Sequence, residues 1–149
     1  MIMKMQNHLI ITRLDRPMKI TARHKKYLTM AAKIANQNRT CVQHRHGAVL
    51  VKGGSVISYS TNQNALKWWV SRFRRRDRGH ATKHAEVGCI HNIDRSKTTG
   101  STLYVARIGM QGNFLMSEPC PMCKRALENA GIKKVYYTIN EEEMGILKL

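Results

Sequence analysis

His84-Ala85-Glu86 and, further along the chain, Pro119-Cys120-Pro121-Met122-Cys123 are the stretches whose reading decides the fold. One imidazole and two thiolates make three ligands of the kind zinc takes, one short of the four that close a structural tetrahedral site. A catalytic zinc leaves that fourth position to water. Cys120 and Cys123 stand at i and i+3, so a helix opened by Pro121 presents both sulfurs on one face of its first turn. Proline suits that place because it has no N–H to satisfy, and the positive end of a helix favours thiolates. Glu86, two residues beyond His84, is the candidate to carry a proton between water and a leaving group.

Taken singly, each motif says little: C-x-x-C occurs in structural zinc sites and redox motifs, and H-x-E is common. Together, each at the start of an expected helix, they narrow the reading to a metal centre. Sequence leaves open a closed, purely structural site, because Cys41, Cys89, His80 and His91 are available as a fourth ligand. Under that alternative the chain is a zinc-stabilised nucleic-acid-binding module without catalysis.

H-x-E followed by P-C-x-x-C is the signature of zinc nucleobase deaminases. On these residues, over roughly positions 22–138, the chain resembles the cytidine and deoxycytidylate deaminase superfamily, which includes the tRNA adenosine deaminases. The resemblance implies an α/β fold of three layers, α/β/α, around a mixed sheet of about five strands. It implies Zn2+ held by His84, Cys120 and Cys123, with Glu86 as general acid and base in the hydrolytic removal of an exocyclic amine. It also implies that Asn62 contacts the nucleoside, that the Ala85 backbone N–H and the Cys120 region orient the base, and that copies associate through helices near the site. Cytosine, converted to uracil, is the favoured base. Met122 resembles the tRNA adenosine deaminases and keeps adenine as an alternative. Two segments depart from the family pattern. Gln63–Lys83 is longer than its equivalent in the tRNA adenosine deaminases, and Gly109–Ser117 separates the preceding strand from the Pro-Cys motif.

The 149 residues fit one domain with a single core, read as residues 21–149 preceded by an extension or edge strand at 1–20. Four cysteines, two of them committed to metal, suit a reducing compartment. No apolar run approaches the length of a membrane span, and Leu9-Ile10-Ile11 is too short for a signal-peptide core, so a soluble cytoplasmic protein is expected. Charge is the unusual property: 26 Lys and Arg against 9 Asp and Glu, a net +17. A field of that strength points to a polyanionic partner. Single-stranded DNA or RNA is the expected substrate carrier, with free cytidine or deoxycytidylate as the rival. Lys67 to Lys83 concentrates the argument, with Arg72, Arg74, Arg75 and Arg76 to hold phosphates and Trp68 and Trp69 to stack on unpaired bases. The alternative for this segment is a helix whose aromatics pack on the core and whose arginines face water.

Around the two motifs the chain reads as follows. Thr21 caps a helix to about Asn38, with Tyr27, Leu28, Ala31, Ile34 and Ala35 on its apolar face. Ala48–Val51 and Val56–Ser60 form a hairpin about Lys52-Gly53-Gly54-Ser55. Leu9–Thr12 is a candidate edge strand. The first motif helix spans 83–93, with Cys89 as a buried apolar residue, and a polar loop leads to a buried strand at Thr102–Ile108. Gly109–Asn113 is a hairpin turn, and Ser117 serves either the substrate or the loop. The second motif helix spans Pro121–Ala130 and ends at Gly131, a strand follows at Lys134–Thr138, and Asn140 caps a last short helix.

Overall fold

The computed structural model describes residues 17–38, 45–62 and 84–149. Helix α1 (Ala22–Asn36) begins after Thr21, which has N-cap backbone angles but makes no side-chain capping bond. The hairpin consists of β2 (Arg45–Lys52) and β3 (Ser55–Thr61), turned by Gly53 and Gly54 at φ of 61° and 79°. Only glycine takes two successive positive φ values at little cost, and those angles match the strand twist. The first motif helix, α2, is shorter than expected at Ala85–Ile90, since Asn92 turns left-handed at φ 62°. A single turn, α3 (Arg95–Thr98), lies in the stretch read as a polar loop. Strand β4 (Thr102–Ile108) leads through the expected turn to β5 (Phe114–Leu115), and α4 (Pro121–Asn129) and β6 (Lys134–Thr138) follow.

The sheet holds seven strands among the described residues, not about five, in the order β1 (Met18–Lys19), β7 (Glu143–Lys148), β6, β4, β2, β3, with β5 on the free part of β4. Three of the seven are not among the strands read from the sequence, and two of these, β1 and β5, are two residues long, too short to show an alternating pattern. The third corrects the expected last helix: Glu143–Lys148 is strand β7. Asn140 Oδ1 accepts hydrogen bonds from the amides of Glu142 and Glu143, both at 2.9 Å, and so turns the chain back onto β6. Pairing along the whole of β6 outweighs the charge pattern that suits a helix. The expected edge strand at Leu9–Thr12 lies outside the described residues.

Strand alternation builds two cores. Ala48, Leu50, Leu103, Val105, Val135 and Tyr137 point to one face, where Ala85, Val87, Cys89, Met122, Cys123, Ala126 and Leu127 of α2 and α4 cover them. Val49, Val51, Tyr104, Ala106 and Tyr136 point to the other, against Leu28 and Ala31 of α1. The result is three layers, helix, mixed sheet and helices, with β4 and β6 as the parallel pair. No described helix is long and apolar enough to cross a membrane.

Helix α1 approaches the sheet closely at Gly47, where an added Cβ would stand 2.0 Å from the Ala31 carbonyl oxygen and 2.7 Å from the Ala35 amide nitrogen. Both atoms belong to helix backbone and have no rotamer by which to retreat. Gly47→Ala should therefore destabilise the fold by about 3 kcal/mol, the upper part of the range for overpacking. Denaturant unfolding measures it, and a change below roughly 0.5 kcal/mol would contradict this packing.

Candidate metal centre

In chain order β3 precedes one motif helix and β4 with the short β5 precedes the other, and both helices pack on the same face of the sheet. His84 occupies the N-cap of α2 and Cys120 the N-cap of α4, each with extended backbone angles. Their carbonyls accept the first helical hydrogen bonds, from Gly88 at 3.0 Å and Lys124 at 2.9 Å. Neither side chain caps its own helix. A good N-cap contributes about 1 kcal/mol, so both positions forgo stability while pointing ligand atoms at a common space.

His84 Nδ1 lies 3.1 Å from Cys123 Sγ and 3.6 Å from Cys120 Sγ, and all the ligand atoms of the three residues fall within 4.8 Å of one another. Zinc bonds of about 2.3 Å to sulfur and 2.0 Å to nitrogen, at tetrahedral angles, separate ligand atoms by roughly 3.6 Å. The observed group fits such an ion with little adjustment. Among the described residues no other His, Cys, Asp or Glu joins it. Cys89 is fully buried and its thiol is pushed up by burial, so it serves as core. His91 does not join the group either, and Cys41 and His80 lie outside the described residues.

Electrostatics agree with metal ligation. The Cys120 thiol is drawn down to about 4, first by its hydrogen bond with Cys123 and then by His84. Cys123 is pushed up because it shares that hydrogen bond and is deeply buried. The His84 imidazole is held above its ordinary value, chiefly by Cys120 and against the effect of its own burial. Binding a divalent cation displaces the protons these three soft or borderline donors hold, so ligation here depends on pH. Glu86, only 4% exposed, has its carboxyl held above the usual range by burial, partly offset by His84. A buried carboxyl raised above its ordinary range is suited to taking and returning a proton.

Asn62 follows the last residue of β3, and its Oδ1 accepts from the His46 amide at 2.9 Å and from Asn38 Nδ2 at 2.8 Å. It therefore ties β2, β3 and the end of α1 together at the end of the sheet from which α2 and α4 depart. Ala85 is buried as the first residue of α2, where a backbone N–H has no partner within its helix. Trp68, Trp69, Arg72, Arg74, Arg75 and Arg76 lie outside the described residues.

Ser117 falls on the loop side of its two readings, and the partner that sequence missed is Thr138. Ser117 Oγ lies 3.1 Å from the Val105 and Thr138 carbonyl oxygens and 2.9 Å from Thr138 Oγ1, and it accepts from the Thr138 amide at 2.8 Å. Thr138 Oγ1 in turn donates to the Leu115 carbonyl at 2.7 Å. Both residues are buried, and together they clamp the chain three residues ahead of Cys120 to the middle of β4 and the end of β6. The available signal was a threonine ending an otherwise apolar strand.

Residues 21–139 match the family model described as the cytidine and deoxycytidylate deaminase zinc-binding region. The chain belongs to this deaminase family. Zinc is the metal of that region, and the His84, Cys120 and Cys123 group is the set of described residues able to hold it. A tRNA-specific adenosine deaminase of Agrobacterium fabrum is 30% identical over 106 residues, 68% of this chain and 56% of that protein. The chain thus spans little more than half the length of that curated relative. Among solved structures, the apo dCMP deaminase of cyanophage S-TIM5 is similar in fold at a TM-score of 0.51 and 22% identity, covering 78% of this chain and 82% of that one. Guanine deaminase of Bacillus subtilis gives a TM-score of 0.52 at 26% identity, covering 78% and 64%.

The Ser117–Thr138 clamp carries a checkable consequence. Thr138→Val keeps the shape but removes the hydroxyl, and should lower stability by about 1–3 kcal/mol. It should also speed the loss of zinc to a chelator, while Thr138→Ser restores retention. Zinc retention unchanged in Thr138→Val would show that the clamp does not position Cys120.

Proposed function

We propose that this chain is a zinc-dependent hydrolase that removes the exocyclic amine of a nucleobase, with cytosine in single-stranded nucleic acid as its substrate. The observation that carries the reaction class is the meeting of His84, Cys120 and Cys123 beside the buried carboxyl of Glu86, without a fourth protein ligand among the described residues. A closed structural site, the basis of the non-catalytic alternative, needs that fourth ligand. Zinc, when bound, supplies the Lewis acidity that makes water a nucleophile near neutral pH.

The chain's own residues do the rest. Glu86 takes a proton from water as its oxygen attacks the ring carbon bearing the amine. It delivers protons to the ring nitrogen and then to the departing group, so that water and aminopyrimidine become the oxo base and ammonia. The Ala85 N–H, at the open start of α2, is a donor for the base. Asn62 is the proposed contact to the sugar, and its bonds to Asn38 and His46 hold it in one orientation. Trp68 and Trp69 are proposed to stack on bases, and Arg72, Arg74, Arg75 and Arg76 to hold phosphates.

Charge supports the polymer over a free nucleotide, because a net +17 far exceeds what one phosphate requires. Cytosine is supported by the family model that spans most of the chain. A second reading, adenosine in tRNA, is favoured by the Agrobacterium fabrum relative.

Mass spectrometry separates these readings. Zinc-loaded protein is incubated with cytidine, dCMP, single-stranded DNA, single-stranded RNA and tRNA, and the gain of about one dalton per deamination is scored. Cytosine in the single strands should convert, whereas conversion confined to dCMP or to tRNA adenosine would reject that substrate. Glu86→Gln should keep its zinc and lose activity by roughly 100-fold or more. Undiminished turnover there would refute the role given to Glu86.

A further inference from the structure

The reverse side of the sheet, across from the metal centre, is covered by α1, whose outer surface carries Arg23, Lys25, Lys26 and Lys33, all exposed. The helix contains no acidic residue. Among the described residues the ion pair present is Lys124 with Glu118, so none of these four cations is paired to a carboxylate. Lys26 and Lys33 are two turns apart, which sets their stems on one line about 10 Å apart along the helix. That line lies opposite the buried side formed by Leu28, Ala31 and Ala35.

Sheet alternation adds two more cations to the same face. Lys134 and Lys148 are direct cross-strand partners on β6 and β7. Each stands two residues from a side chain packed in the core under α1, Tyr136 and Ile146 respectively. Like charges placed opposite one another destabilise a sheet pair, and Arg23 and Lys26 repel at i and i+3. Cations near the start of α1 also oppose the helix dipole. Burial holds the His24 imidazole down first, and Arg23 and Lys134 lower it further, so positive potential converges there. The acidic run Glu141 to Glu143 meets the opposite end of β7 from Lys148, roughly 17 Å away along the strand.

We infer that this face, formed by Arg23, Lys25, Lys26, Lys33, Lys134 and Lys148, docks the phosphate backbone of a polynucleotide. The unpaired like charges that weaken the isolated fold are neutralised when phosphates lie along them. A bilayer is disfavoured because the apolar side of α1 is used up against the sheet, leaving no apolar stripe to insert. The surface lies across the sheet from His84, Cys120 and Cys123, so it holds a strand at a distance from the chemistry, whichever base is deaminated. It does not depend on the catalytic reading.

The test compares the full chain with two charge-matched variants. Lys26→Glu/Lys33→Glu reverses the centre of the surface, and Arg95→Glu/Lys97→Glu reverses two exposed cations of α3, which is bonded to the end of α4 through Thr98. Binding of labelled single strands of about 20 nucleotides, DNA and RNA, is followed by anisotropy as salt is raised, with circular dichroism to confirm that each variant is folded. The first variant should bind about tenfold or more weakly at low salt, with the slope of log affinity against log salt reduced by about 1.4, two contacts at roughly 0.7 each. The second should keep the wild-type slope. Equal losses in both variants would reduce the effect to net charge and overturn the assignment. An unchanged slope in the first, or binding to anionic phosphatidylserine vesicles but not to either strand, would overturn it as well.

Discussion

Two helix starts, far apart in sequence, must be held within reach of one metal ion, and the rest of the structure is arranged around that constraint. His84 and Cys120 are the residues immediately before α2 and α4, so the positions of the two helices fix two of the three ligand atoms. Cys123 completes the group one turn into α4, fully buried. The sheet supplies the distance. β3 lies next to β2, β2 next to β4, and the chain leaves the same end of the sheet after β3 and after β4 to enter the two motif helices. Strand order therefore places the ligands before any side chain is considered.

Stability is given up locally to do this. Histidine and cysteine stand where serine, threonine or aspartate would cap a helix, and a carboxylic acid is buried beside them. What offsets these losses is the packing behind the site: Val87, Cys89 and Ile90 of α2 against Ala48, Leu50 and Leu103 of the sheet, and Met122, Ala126 and Leu127 of α4 beside them. The Ser58 hydroxyl donates to the Cys89 carbonyl at 2.6 Å and fastens α2 to β3. The Ser117–Thr138 clamp performs the same service for the approach to Cys120.

Much of this was legible in the sequence because the elements concerned carry strong local signals. Gly53 and Gly54 dictate a tight hairpin, Pro121 opens α4, Gly131 closes it at φ 84°, and Thr102–Ile108 is apolar enough to be a buried strand at the expected bounds. The ligand trio was legible because few chemistries need those residue types in that order. Illegible were features set by pairing at a distance. β1 and β5 are too short to have a pattern, and Glu141 and Glu142 lead into Glu143 at the start of β7, a charge order that suits a helix. The roles of Asn38 and Thr138 rest on hydrogen bonds to residues 24 and 21 positions away. The resemblance implies a contact from Asn62 to the nucleoside, and the structure adds that its side-chain oxygen joins β2, β3 and the end of α1.

The central claim is a zinc ion held by two sulfurs and one imidazole, with its remaining position given to solvent. X-ray absorption at the zinc edge of the purified protein tests it most directly. One zinc per chain is predicted, with two sulfur neighbours near 2.3 Å and two lighter atoms, a first shell that Glu86→Ala leaves unchanged in its sulfur and nitrogen ligands. A shell with three or four sulfurs or no protein sulfur at all, or a chain that binds no zinc, would contradict it.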